Sequence, residues 1–158
     1  MKNVKTPEQK AQNYKETSLC LKAIESLIKT ATYRSIGYKM LNNLDSDQLV
    51  PDHKVTYLYL YGRYFTYTYR ITKDVEDLET ANDFFDDVMQ YAFGHDVKVT
   101  DFKIFYSRAY TKFQLAKIVW DEERKPWLLK KAKSITDRAL SIDNSNDSFL
   151  WLQQQLQS

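Results

Sequence analysis

Cysteine occurs once in this chain of 158 residues, and glycine and proline occur three times each. A single thiol builds no internal disulfide framework, so nothing in the sequence asks for an oxidising compartment. The six breakers fall far below the usual share of about one residue in eight. That scarcity argues against a turn-rich β-sandwich, a collagen-like repeat or a flexible linker. There is also little charge of one sign. The balance of 23 basic against 21 acidic side chains leaves +2, too small to imply a nucleic-acid or membrane partner by itself. No apolar run approaches the ~18 residues of a membrane span, and the polar start Met1 to Gln12 precedes no signal-peptide core. The expectation is a soluble, cytoplasmic protein with no membrane partner.

Aromatic residues are abundant: 12 Tyr, 8 Phe and 3 Trp. With 43% hydrophobic and 28% charged residues the chain reads as one globular domain spanning 1–158. Its hydrophobic spacing is helical nearly throughout. After the cap-like Thr6-Pro7-Glu8, the positions Tyr14, Ser18, Leu21, Ile24, Ile28 and Ala31 step by threes and fours. A second stripe, Tyr33, Ile36, Met40, Leu41 and Leu44, completes an N-terminal helical segment over 1–50. Thr30-Ala31-Thr32 is a weak breaker, so one bent helix and two helices both fit.

Val50-Pro51-Asp52 marks a break, since proline disfavours helix in the residue before it. The segment Val55 to Ile71 is rich in Tyr and Thr, which suit a strand. Its 17 residues are too long for one, and Leu58, Tyr61, Phe65 and Tyr69 have helical spacing. A further helix carries Val75, Leu78, Ala81, Phe85, Val88 and Ala92, and ends near Gly94. Another starts at Thr100-Asp101, with Phe102, Phe105, Ala109, Phe113, Ala116 and Trp120 on one face. Pro126 opens a helix bearing Leu128, Ala132, Ile135, Ala139 and Ile142. A polar helix over 147–158 follows the turn Asp143 to Asn146. The triplet Asn146-Asp147-Ser148 reads as its capping turn rather than as a glycosylation site. The fold class is all-α, with about seven helices.

Two segments repeat. Tyr61-Gly62-Arg63-Tyr64-Phe65-Thr66 lies 45 residues before Tyr106-Ser107-Arg108-Ala109-Tyr110-Thr111. Tyr, Arg and Thr are shared, and Gly and Ser are both small. Each opens a hairpin whose second helix carries small residues on one face, Ala81 in the first copy and Ala132 and Ala139 in the second. The hairpins span 55–93 and 101–143. A small residue at 62 or 107 allows two helices to approach, and aromatics one turn away fill the groove beside the contact.

This pattern resembles the tetratricopeptide repeat family over about Val55 to Leu152. The family places a large residue, a small one and then an aromatic three positions on, as in Tyr61-Gly62 with Phe65 and Tyr106-Ser107 with Tyr110. Ala132, Ala139 and the turn at Asn144 match its second helix, with Asn where the family has proline. The spacing of 45 here is longer than the family's ~34, and the expected tryptophans are missing. The resemblance implies tandem antiparallel hairpins in a right-handed superhelix whose first helices line a concave groove. It further implies that Tyr59, Arg63, Thr66 and Tyr67, with Ile104, Arg108, Thr111 and Lys112, point into that groove.

Charge is segregated: residues 73–101 are strongly acidic and residues 102–141 strongly basic. Either neighbouring helices neutralise each other or one surface offers a charged patch. Arg63 and Arg108 are therefore open to two roles, groove lining or pairing with the acidic helix of residues 74–87.

No phosphate-cradling loop is possible with glycines at 37, 62 and 94, and no zinc-binding pattern is present. His53 and His95 are expected in exposed loops, Cys20 in a buried or half-buried place, and Asp83, Asp86 and Asp87 on a solvated face. No enzyme, cofactor or metal site is expected. The leading expectation is a protein-interaction module that holds a protein or peptide, suitably an acidic one, in a groove rich in Tyr and Arg. The alternative is a self-associating structural or regulatory subunit. Single-stranded nucleic acid is disfavoured, because the acidic segment would repel phosphates.

Overall fold

The computed structural model describes residues 4–158; residues 1–3 of the expected N-terminal segment lie outside them. Seven α-helices follow in order: α1 (Pro7–Lys29), α2 (Arg34–Asn43), α3 (Pro51–Thr72), α4 (Val75–Gly94), α5 (Phe102–Ile118), α6 (Arg124–Ile142) and α7 (Asp147–Gln157). No strand occurs among the described residues.

Local chemistry sets the boundaries. Thr6 and Gln9 form a reciprocal capping box at the start of α1, with Pro7 in its first turn. Asp74, Asp101 and Asn146 each accept a backbone N–H at the start of α4, α5 and α7. Asn146-Asp147-Ser148 is thus a capping turn in the structure. Lys73, with φ of 57°, closes α3 in the left-handed region and turns the chain directly into α4.

The N-terminal segment is two helices, not one. Thr30 breaks α1 with an extended backbone, and Ala31–Tyr33 forms a short 3-10 turn before α2. α3 begins at Pro51, a turn earlier than Val55, because proline at the first helical position loses no hydrogen bond there. His53 therefore lies in a helix and is only 6% exposed, rather than in an exposed loop. Its Nε2 is 2.8 Å from Ser18 Oγ, and its ring stacks on Tyr14 at 4.2 Å.

The helices pair in sequence. α3 packs most extensively on α4, and α5 on α6; α1 pairs with α2, and α7 lies across α5 and α6. Each pair packs mainly on its sequence neighbour, the arrangement of a stack rather than of a closed bundle. Accordingly the core comes in three clusters. One joins α1 to α4 around Leu41, Leu60 and Phe85, a second joins α5 to α7 around Phe149 and Leu152, and a third bridges α4, α5 and α6 through Leu78, Leu115 and Leu128. Fully burying a side chain of this size contributes about 1.5–3 kcal/mol.

Two apolar expectations fail at helix ends and edges. Trp120 lies beyond the end of α5 and is 97% exposed, so it does not continue the helix's buried face. Tyr14 and Ile36 are exposed members of their stripes, because α1 and α2 have neighbours on one side only.

Candidate functional site

The hairpins meet most closely at Gly62. A Cβ built there would lie 2.4 Å from Phe85 Cε1, so α4 lies against α3 at a distance only glycine permits. Ser107, at the matching repeat position on α5, is also buried. Its hydroxyl lies 3.5 Å from Tyr59 Oη and ties α3 to α5. Above this tie the two helices diverge.

The divergence opens a groove of about 420 Å³ between α3 and α5. Tyr59, Arg63, Thr66 and Arg70 form one wall, and Lys103, Tyr106, Tyr110 and Thr111 the other. Glu25 and Lys29 of α1 border one side, and Ser148 and Phe149 at the start of α7 the other. The rings of Tyr106 and Tyr110 stack at 5.5 Å and present a flat aromatic surface. Burial raises the Tyr106 phenol above its ordinary value, so the hydroxyl remains protonated and able to donate at neutral pH.

Four cations face one carboxylate in this groove. Glu25 is 3.1 Å from Lys29 and 3.8 Å from Lys103. Arg63 and Arg70 have no carboxylate partner among the described residues. Both instead crowd the ring of Tyr67, with guanidinium carbons at 4.8 and 5.0 Å from its centroid, and Arg34 approaches the same ring at 4.7 Å. Arg63 also donates to Tyr67 Oη at 2.9 Å. Three guanidinium groups converge on a single half-buried phenol ring. Such a cluster attracts anions, because cation–π contacts orient the charges without neutralising them.

Of the eight residues that the resemblance placed in the groove, Tyr59, Arg63, Thr66 and Thr111 line it. Tyr67 lies behind the wall and orients Arg63. Ile104, Arg108 and Lys112 face elsewhere: Ile104 packs in the first core cluster, and Arg108 and Lys112 turn toward α4. The reason is geometric. A groove between adjacent helices is walled by the side of each that faces the other, so equal repeat positions cannot furnish both walls. Arg70, one heptad beyond Arg63, could have been found by extending the α3 stripe; no sequence signal pointed to Lys103, Tyr106 or Glu25 as its neighbours.

Arg108 and Lys112 form a second polar cluster. Lys112 is 1% exposed, and its ammonium donates to Asn82 Oδ1 and to both oxygens of Asp86, each at 2.8 Å. Arg108 Nε donates to Asp86 Oδ1 at 2.8 Å. So Asp86 is not part of a solvated face; it neutralises the basic helix α5. Arg63, by contrast, does not pair with α4. Burial opposes ionisation of Asp86, but the hydrogen bonds from Lys112 and Arg108 outweigh it and hold the carboxyl below its ordinary value. Burial pushes the Lys112 ammonium below its ordinary value, against the pull of Asp86.

The sign of the pH dependence follows from Asp86. Its folded pKa lies below the unfolded one, so the stabilisation is complete above about pH 4 and lost as pH falls through the folded value. The stability advantage of the parent chain over Asp86→Asn should therefore be constant near neutrality and shrink below about pH 4, read from urea midpoints across an acid series.

Elsewhere, no group of three or more His, Cys, Asp or Glu residues among the described residues is arranged to hold a metal ion. No helix among them is long and apolar enough to cross a membrane. The fold and the groove thus define a stack of helical hairpins with a basic, tyrosine-walled cleft. No family model, curated protein or solved structure matches the chain.

Proposed function

We propose that this chain is a non-enzymatic protein-interaction module that holds an acidic peptide segment in the groove between α3 and α5. One observation carries the proposal: Arg63 and Arg70 line the groove without a carboxylate partner among the described residues. Peptide carboxylates would meet these guanidinium groups in forked, charge-assisted hydrogen bonds, and side chains would rest on Tyr106 and Tyr110. The stacking of paired helices supports a tetratricopeptide-like architecture as part of the same proposal. The free thiol of Cys20 fits a reducing, cytoplasmic setting.

Selection of a displayed random-peptide library on the folded chain tests this. Enriched sequences should be acidic, and Arg63→Glu with Arg70→Glu should weaken the best of them at least tenfold, since one charged hydrogen bond is worth about 1.5–3 kcal/mol. The thermal midpoint should barely move, because neither arginine holds a salt bridge. Enrichment without acidic character, or binding indifferent to the double variant, would sink the proposal.

Self-association is the second reading. Trp120 at 97% and Phe93 at 90% exposure are large apolar groups available to another copy. Light-scattering mass that rises with concentration, and that falls back on substituting these residues, would favour it.

A further inference from the structure

A second and larger cavity lies on the opposite side of α5 from the groove. Its volume is about 660 Å³, and it is enclosed by the end of α4, the connection between α4 and α5, and the facing sides of α5 and α6. Small-molecule sites commonly enclose about 300–1,000 Å³. Met89, Phe105 and Ile135 contribute apolar walls, while Lys98, Lys131 and Arg138 stand on the exposed margin.

The lining contains cations and no acid. Arg108 also reaches it, but its charge is neutralised by Asp86. Lys98, Lys131 and Arg138 have no carboxylate partner among the described residues. An apolar hollow would suit any hydrophobic body. Three unpaired cations at its mouth select one with a negative end, and they disfavour a cation by like-charge repulsion.

We infer that this cavity binds a small amphipathic anion, a hydrocarbon body in the hollow with a carboxylate or phosphate head among Lys98, Lys131 and Arg138. The site is separate from the peptide groove, and it stands or falls independently of that proposal.

The test titrates decanoate, decyl phosphate, decanol and decyltrimethylammonium into the isotope-labelled full chain, following backbone amide shifts. Decanoate or decyl phosphate should give saturable shifts at residues 98–105 and 131–142, with decanol at least tenfold weaker and the cation weaker still. Lys131→Glu with Arg138→Glu should remove most of the advantage of the anion over decanol. These are exposed helical positions, and Lys131→Gln with Arg138→Gln repeats the test without charge reversal. Comparable anion and alcohol binding, no saturable shift with either anion, or shifts confined to the α3–α5 groove would overturn the inference.

Discussion

Replacing Asp86 with alanine should lower the unfolding free energy by about 3–5 kcal/mol, the range for breaking a buried ion pair from one side. The charge left behind decides the size. Lys112 is 1% exposed and would keep only Asn82 as a partner for its buried ammonium. Replacing Lys112 with methionine should cost less, about 1–3 kcal/mol, because Asp86 keeps its bond to Arg108 and its access to water. Combining Asp86→Ala with Lys112→Met should cost less than the two single losses together, since the second change removes the stranded charge. Urea unfolding of the four proteins gives the cycle directly. If the single losses simply add, the two side chains are not coupled and the cluster does not join α4 to α5 as described.

Gly62→Ala is the second large effect. In an exposed helix the change stabilises by up to about 1 kcal/mol, because alanine loses less backbone entropy than glycine. Here the new methyl would lie 2.4 and 2.6 Å from Phe85 Cε1 and Cδ1. Phe85 is fully buried and its ring rests against Tyr59 at 5.8 Å, so it cannot retreat without moving α4. Overpacking typically costs about 1–3 kcal/mol, so the net change should be destabilising despite the better helix propensity. Gly62→Val should be worse. Gly94→Ala is the matched control, with nothing within 4 Å of its added Cβ, and should leave the denaturation midpoint nearly unchanged. In a Phe85→Leu background the penalty of Gly62→Ala should fall, because the clashing ring edge is gone. A penalty that persists there would place its origin somewhere other than the α3–α4 contact.

The sequence signal was strongest where local chemistry acts alone. Thr6-Pro7-Glu8, Asp101 and Asn146 are capping residues that satisfy backbone groups within three positions of themselves, so their role is visible without the fold. Gly62 could be read as a close-contact position because its small size has one main use beside Tyr61 and Phe65. His53 was harder. Its burial depends on Ser18 and Tyr14 of a different helix, 35 and 39 residues away. Trp120 failed for a related reason: its spacing continues the apolar face of α5, but the helix stops at Ile118 before bringing it to the core.

The candidate groove was half legible. Tyr59, Arg63, Thr66 and Thr111 were found because repeated segments place recurring residues at recurring positions on α3 and α5. Arg108 and Lys112 share the same register, yet they meet Asp86 on α4, and nothing in their own spacing distinguishes that side of α5 from the groove side. Helical periodicity alone therefore determined that this chain forms all-α hairpins, where those helices begin, and which residues of each share a face. The tertiary structure alone decided which face meets which. A helix face is a local property of 3.6-residue spacing, whereas the pairing of faces depends on how two helices rotate about their axes when their buried groups pack. That rotation turned Arg108 and Lys112 inward onto Asp86 and left Arg63 and Arg70 without a carboxylate beside Tyr106 and Tyr110.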